Sequence, residues 1–235
     1  MTPTLKALSC AAALSTLAAF SLPAAAQSAG SNVVQVGWFH FSPNDSSDPL
    51  QVGGAAIPGS GATIKDADTV GFALTHFFTD NFGVTADLGV PPKFKLNGAG
   101  TLSSLGEVGS AKQWSPAIVA KYYFGDAESK FRPFIGAGVT YVWYSDVQLS
   151  RSLQSALTAG TGTATADLSS SWAPVANIGA AYNFDKNWSV ALSVSYIPLK
   201  TDADITGTTP AGTVKAKTSL TINPLVTFLS VGYRF

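Results

Sequence analysis

Residues 229–235 constrain the fold more than any other part of the chain. Leu229, Val231, Tyr233 and Phe235 form one apolar face, alternating with Ser230, Gly232 and Arg234. Successive side chains of a strand point to opposite faces, so this segment is a strand with one greasy surface. A soluble sheet seldom leaves such a strand at its end, whereas a transmembrane β-barrel closes its wall there and sets an aromatic ring at the water boundary. The same four residues are expected to serve as the signal read by the barrel assembly machinery.

The opposite end agrees. Lys6 precedes an apolar, alanine-rich run over 7–22 and then Pro23-Ala-Ala-Ala26. This pattern predicts an export signal over 1–26, cut near Ala26, and a mature barrel over 27–235. Ser9, Cys10, Ser15, Thr16 and Ser21 interrupt the run, and no later segment approaches the roughly 20 consecutive apolar residues of a spanning helix. The mature chain therefore spans a membrane with strands or does not span it. Cys10, the one cysteine, lies before most of the apolar run, which argues against a lipidated start and leaves the mature chain without a thiol.

Charged residues make up 12% of the chain, about half the usual soluble share. A formal net charge of zero supplies no field for nucleic acid or for cationic partners. Eight period-2 segments are expected, at about 32–41, 67–78, 82–90, 115–124, 132–145, 172–184, 188–200 and 216–235, with turn-forming residues in every gap. Only 152–159 hints at a helical period. In the second segment Val70, Phe72 and Leu74 alternate with Gly71, Ala73 and Thr75; in the seventh Trp188, Val190, Leu192, Val194 and Tyr196 alternate with Ser189, Ala191, Ser193 and Ser195. The prediction is an all-β, eight-stranded antiparallel up-and-down transmembrane barrel, its larger apolar side chains facing lipid, with no need of a partner to close.

Gaps at 79–81, 125–130 and 185–187 are short, and those at 42–66, 91–114, 146–171 and 201–215 are long. Short turns face the periplasm and long loops the outside. Aromatics crowd both boundaries, including Phe77, Phe78, Tyr123 and Phe184 at the short turns and Trp38, Trp114, Trp143 and Trp172 near the loops. These sets predict two interfacial girdles.

Particular motifs carry a family resemblance: Phe78-Thr-Asp-Asn-Phe-Gly-Val84, Tyr123-Phe-Gly-Asp-Ala127, Lys130-Phe-Arg-Pro-Phe-Ile-Gly-Ala-Gly138 and Val231-Gly-Tyr-Arg-Phe235. The chain resembles the OmpW family of outer membrane proteins over essentially its whole mature length. Ser103-Ser-Leu-Gly106, Trp114-Ser-Pro116 and Tyr196-Ile-Pro-Leu-Lys-Thr201 are similar to the branch associated with alkane uptake. The resemblance implies a narrow, largely apolar channel that admits small hydrophobic molecules from outside and releases them sideways into the bilayer.

The residues can be weighed without that analogy. Eight strands leave room for side chains or one small ligand, which excludes an open aqueous pore for sugars. On the inward phase, Phe39, Phe41, Val142, Tyr144, Ile197, Leu199, Val226 and Phe228 form an apolar lumen near the loops, where a hydrophobic solute would bind. Asp87, Lys121 and Arg234 are expected to make a charged floor nearer the turns, satisfying one another, in a lower lumen that reads polar. The competing reading is that these residues only fill the barrel. Pro116, Pro174, Pro198 and Pro224 lie towards the loop ends of their strands and each removes a ladder donor, which marks candidate positions for a lateral opening or simply strand ends.

Enzymatic readings find little support. His40 and His76 lie at opposite ends of the wall, and His40 with Ser42 and Asp45 is the one candidate catalytic set. No metal spacing or phosphate loop occurs in a suitable context, so no cofactor is expected. The alternative to transport is a structural anchor, or a barrel whose loops bind a host surface, phage or bacteriocin. Those loops are rich in Ser, Gly, Thr and Ala and poor in aromatic or arginine anchors. The expected partners are outer membrane lipid and small hydrophobic solutes.

Overall fold

Every strand of the wall finds a partner on both sides. The computed structural model describes residues 28–235, so the expected export signal and Cys10 lie outside the described residues. Eight strands form the wall: β1 (Asn32–Ser42), β2 (Ala67–Phe77), β3 (Phe82–Gly89), β4 (Ala117–Tyr123), β5 (Phe131–Leu149), β6 (Ser171–Asn183), β7 (Trp188–Tyr196) and β8 (Leu225–Arg234). Each pairs antiparallel with its chain neighbour. The wall closes where β8 meets β1, from Val33 opposite Arg234 to Ser42 opposite Leu225. Asn32 and Phe235 then exchange two backbone hydrogen bonds of 3.0 Å. Closure removes sheet edges, whose unpaired groups would each cost several kcal/mol in hydrocarbon.

The alternation sorts side chains as the sequence pattern requires. Val70, Phe72 and Leu74 stand on the outer surface, whereas Ala73 and Thr75 are buried inside. Leu229, Val231, Tyr233 and Phe235 likewise occupy the outer face of β8. Phe78, Phe82, Tyr122, Phe124, Tyr182, Phe184 and Trp188 ring the short-turn end, and Trp38, Trp114, Trp172 and Tyr196 ring the other. Two expected girdle members differ: Phe77 and Tyr123 fall on the inward phase and are buried within the lumen.

The long gaps are not irregular loops. β5 has 19 residues, about 60 Å at roughly 3.3 Å each, whereas about 9–11 residues span the hydrocarbon. Its outer half stands clear of the wall and carries a second sheet of strands Glu107–Trp114, Lys93–Gly100 and Ser60–Ile64. A third sheet is built on the hairpin Lys200–Thr209 and Gly212–Thr221, flanked by Thr163–Leu168. The helix α1 (Arg151–Thr158), capped by Ser150 accepting the Leu153 amide, lies between them in the chain.

The segments expected at 188–200 and 216–235 are each divided, because Ile197-Pro198-Leu199 and Ile222-Asn223-Pro224 interrupt the ladder where the wall gives way to that hairpin. Asn223 takes a φ of 37° there.

Candidate lumen and wall opening

The lumen separates into an apolar upper chamber and a closed lower one. Phe41, Val142, Ile197, Leu199 and Val226 belong to one buried cluster, with Phe39 and Tyr144 packed against it. Phe228 joins through its ring, stacked on Phe39 with centroids 4.0 Å apart. All eight side chains expected in the apolar lumen therefore converge. The gaps add Ile64 and Phe94 to the cluster, and Leu220 and Ile222 join it from the segment expected at 216–235, none of them foreseen as lumen residues. Phe94 meets Phe41 edge to face at 5.8 Å, and the period-2 run Phe94-Lys-Leu96 was a signal available in the sequence. One polar tie crosses the chamber, between the Tyr144 and Thr201 hydroxyls at 2.7 Å.

A string of cavities runs through this apolar interior. The outermost, of about 80 Å³, lies among Leu50, Leu102, Val108, Leu149, Leu153 and Ile205 in the outer sheets. It shares Leu96, Ala111, Leu168 and Leu220 with a second cavity of about 30 Å³ bounded by Phe41, Phe94 and Tyr144. Phe41 and Gln113 in turn bound a third of about 220 Å³.

The third cavity reaches the outer surface of the wall. Phe39, Ile197 and Val226 line it from inside, and Leu88, Val90, Trp114, Pro116 and Trp143 from the lipid side. The β3–β4 ladder explains why. Its last rung pairs Asp87 with Ala117, and the next bond across the gap is the Gln113 amide donating to the Pro92 carbonyl at 3.1 Å. Between these rungs each edge is tied to its other neighbour: Gly89 pairs with Gly71 of β2, and the Pro116 carbonyl accepts from Thr140 Oγ1 and the Tyr141 amide of β5. Pro91, Pro92 and Pro116 have no amide hydrogen to leave unpaired. The result is a window in the wall with few orphaned donors.

Of the four prolines singled out in the sequence, only Pro116 borders this window. Pro174 sits inside the continuous β5–β6 ladder opposite Val139. Pro198 and Pro224 lie at the β7–β8 rim, where Ile197 donates to the Pro224 carbonyl at 3.2 Å and Ile222 to the Leu199 carbonyl at 2.8 Å. The wall is bonded across on those two seams, but the β6–β7 ladder ends at Ala176 opposite Tyr196, so Pro174 and Pro198 flank a second stretch without rungs. Pro92, in a gap read as loop, supplies the upper rung of the β3–β4 window instead.

Below the window the barrel is plugged. Tyr123 lies 4.9 Å from both Phe77 and Phe134, centroid to centroid, and with Val33 these form a separate cluster. The Thr75 and Thr85 hydroxyls share a 2.8 Å hydrogen bond, and the cavity left at this level is about 20 Å³. The lower lumen is thus aromatic as well as polar, unlike the polar half that the sequence suggested.

The charged residues are also arranged differently. Arg234 is buried at the short-turn end, where its Nη1 donates to the Lys186 carbonyl at 2.6 Å and Nη2 to Asn183 Oδ1 at 3.2 Å. Its neighbour in this layer is Arg132, buried, with Nη2 donating to the Asp80 carbonyl at 2.6 Å and the guanidinium 5.4 Å from the Tyr123 ring centroid. Arg132 was missed, although its inward phase two residues from Phe134 was readable. Lys121 lies higher, its Nζ 5.2 Å from the Phe134 ring centroid. Asp87 is not in the floor at all, because its register partner Ala117 stands six residues above Tyr123 on β4, and it lines the window cavity instead. No ion pair within 4.0 Å joins Asp87, Lys121 and Arg234.

The histidines sit apart, on the wall's exterior. His40 Nδ1 lies 2.8 Å from Asp68 Oδ1, and His76 Nδ1 lies 2.9 Å from Asn32 Oδ1. Asp45 accepts the Ile64 amide and Ser42 donates to Asp66, so His40, Ser42 and Asp45 do not assemble into a catalytic set.

A family model described as the OmpW family matches residues 28–235. The chain belongs to the OmpW family. Outer membrane protein W of Vibrio cholerae serotype O1 is 33% identical to this OmpW-family chain over 228 residues, covering 94% of this chain and 97% of the relative. Outer membrane protein AlkL of Ectopseudomonas oleovorans is 32% identical over 186 residues, 79% of this chain and 74% of the relative. Among solved structures, OprG of Pseudomonas aeruginosa superposes with a TM-score of 0.81 at 27% identity, covering 90% of this chain and 99% of that one. This OmpW-family protein is an outer membrane β-barrel, its lipid-facing surface set in the bilayer.

Proposed function

We propose that this barrel takes up small hydrophobic molecules from outside the cell without an energy source or cofactor, passing them along the apolar cavities and releasing them into the bilayer through the window between β3 and β4. The observation that carries the reading is the pairing of an apolar path that ends in an interrupted wall with a lower lumen closed by Phe77, Tyr123, Phe134 and the arginines. A solute leaving sideways passes a chamber lined mainly by apolar side chains, with Asp87 its one charged group, whereas one continuing downward would have to displace packed aromatics and enter a layer of buried charge.

In this reading Phe39, Phe41, Val142, Tyr144, Ile197, Leu199, Val226 and Phe228 hold the solute, and Pro92 and Pro116 keep the window unbonded. Arg132 and Arg234 close the periplasmic end. Leu229, Val231, Tyr233 and Phe235 would be recognised by the assembly machinery, and the barrel would act as a monomer.

Leu88 and Pro116 face each other across the open stretch, one step beyond the last rung. The test is a Leu88→Cys/Pro116→Cys pair in the mature barrel, comparing hydrocarbon uptake by cells before and after oxidation. Disulfide closure should abolish uptake and a reductant restore it. Equal uptake by both forms, with the crosslink verified, would rule the window out as the exit.

A further inference from the structure

We infer that Asp87 is a polar anchor for the permeant, so that the window chamber favours amphiphiles with one hydrogen-bond-donating head, a hydroxyl or an ammonium, over plain hydrocarbons. The inference rests on the transport reading above and narrows its substrate class.

Three observations converge on this carboxylate. It occupies the last rung below the window and bounds the 220 Å³ cavity together with Phe39, Ile197 and Val226. That volume is far above the roughly 10–15 Å³ that one water requires. No described residue donates a hydrogen bond to the carboxylate, and its Oδ1 is buried without a partner. Lys121 attracts it through space but makes no ion pair with it within 4.0 Å, being paired with Gly83, four residues below Ala117 on β4, with its Nζ against Phe134.

A carboxylate in such a place is costly, and a leucine would serve a chamber that held only hydrocarbon. A plain alkane entering the cavity strips water from Asp87 and returns nothing. A molecule with a donor head replaces that water with a direct hydrogen bond while its body lies against Phe39 and Val226. A site built to receive a hydrogen bond discriminates strongly against analogues that lack the donor. Gln113 and Ser195, which line the same cavity, are placed to accept or donate to the head's remaining valence.

The test uses the full barrel in lipid vesicles and compares entry of octane, octyl methyl ether, 1-octanol and octylammonium, each normalised to barrel-free vesicles. Wild type should favour the alcohol and the ammonium over the ether by about tenfold, one decade of affinity. Asp87→Leu should bring those ratios close to one. Asp87→Asn, which keeps a carbonyl acceptor but no charge, should retain the alcohol preference and lose that for ammonium. Heat-modifiable migration in gels confirms that each variant is a folded barrel. Ratios unchanged in folded Asp87→Leu, with octane still entering faster than in barrel-free vesicles, would overturn the anchor and leave the transport reading standing. If no probe, octane included, enters faster with the wild-type barrel, the transport reading fails and the anchor with it.

Discussion

Phe39 and Phe228 are register partners across the β1–β8 seam, and their rings stack inside the lumen with planes 14° apart. The seam that closes the barrel is therefore held by backbone bonds in the wall and by an aromatic pair within it, worth about 0.5–1.5 kcal/mol beyond the area it buries. The same pair borders the apolar chamber. A carboxylate introduced there would be dehydrated by every hydrophobic solute that passed. Val142→Asp and Phe228→Asp should lower hydrophobic uptake by about tenfold or more, and Thr213→Ala, on the exposed hairpin tip, should not. Cells carrying matched amounts of folded barrel provide the comparison. Lumen variants that transport as well as wild type would separate the chamber from the route.

Gly71 of β2 is the seat of the Phe39 ring, because a Cβ built on Gly71 would overlap Cε2 and Cδ2 of that ring. The neighbour that must give is the far end of a side chain, and its free direction is the lumen. Gly71→Val should therefore leave the barrel folded but push Phe39 into the solute path. The expected result is slower uptake with unchanged gel migration, and the double variant Gly71→Val/Phe39→Ala should recover much of the loss. Failure of the second change to restore uptake would show that Gly71 acts through something other than Phe39.

Most of the wall was legible because period-2 alternation between lipid and lumen is a strong signal wherever large apolar residues supply one face. The strands at 67–77 and 82–89 were read to within a residue. The outer sheets were not, since their faces alternate small residues, as in Thr163-Ala-Thr-Ala-Asp167, and weak contrast reads as loop. Alternation also says nothing about pairing partners, so Ala216-Lys-Thr-Ser-Leu220 looked continuous with the last wall strand although its partner is the hairpin strand before it. The lumen side chains followed from phase, yet Phe77 and Tyr123 were assigned to a girdle because aromatics near a membrane boundary suggest one. The window was hidden for a related reason. It is an absence of hydrogen bonds between two edges, and only Pro116 hinted at it.

The arginine layer fastens the short turns to the wall. Arg234 ties β8 to the Lys186 carbonyl and to Asn183 of β6, and Arg132 ties β5 to the turn at Asp80. Hydrogen bonds from a charged donor contribute about 1.5–3 kcal/mol each. Arg234→Met should lower stability by about 2–4 kcal/mol, the loss being cushioned by apolar packing of the replacement. Urea unfolding in lipid vesicles measures it directly. An unchanged midpoint would mean that water satisfies those carbonyls equally well.

Asp185 gives the β6–β7 turn a pH dependence of definite sign. Its Oδ1 accepts the Trp188 amide at 2.8 Å and the Asn187 amide at 2.7 Å, and these bonds hold the carboxyl below the usual carboxylate range. A group depressed in the folded state stabilises it fully above its unfolded value, about 3.9, and that contribution drains away as pH falls through the folded value. Asp185→Asn keeps a neutral acceptor at the same place, so its turn should be indifferent to this titration. Wild type should therefore show better protection of the Trp188 amide against hydrogen exchange than Asp185→Asn at pH 7, with the advantage shrinking below about pH 4. Exchange rates corrected for intrinsic pH dependence give the comparison. An advantage that persists undiminished at the lowest pH would place the effect in shape rather than charge.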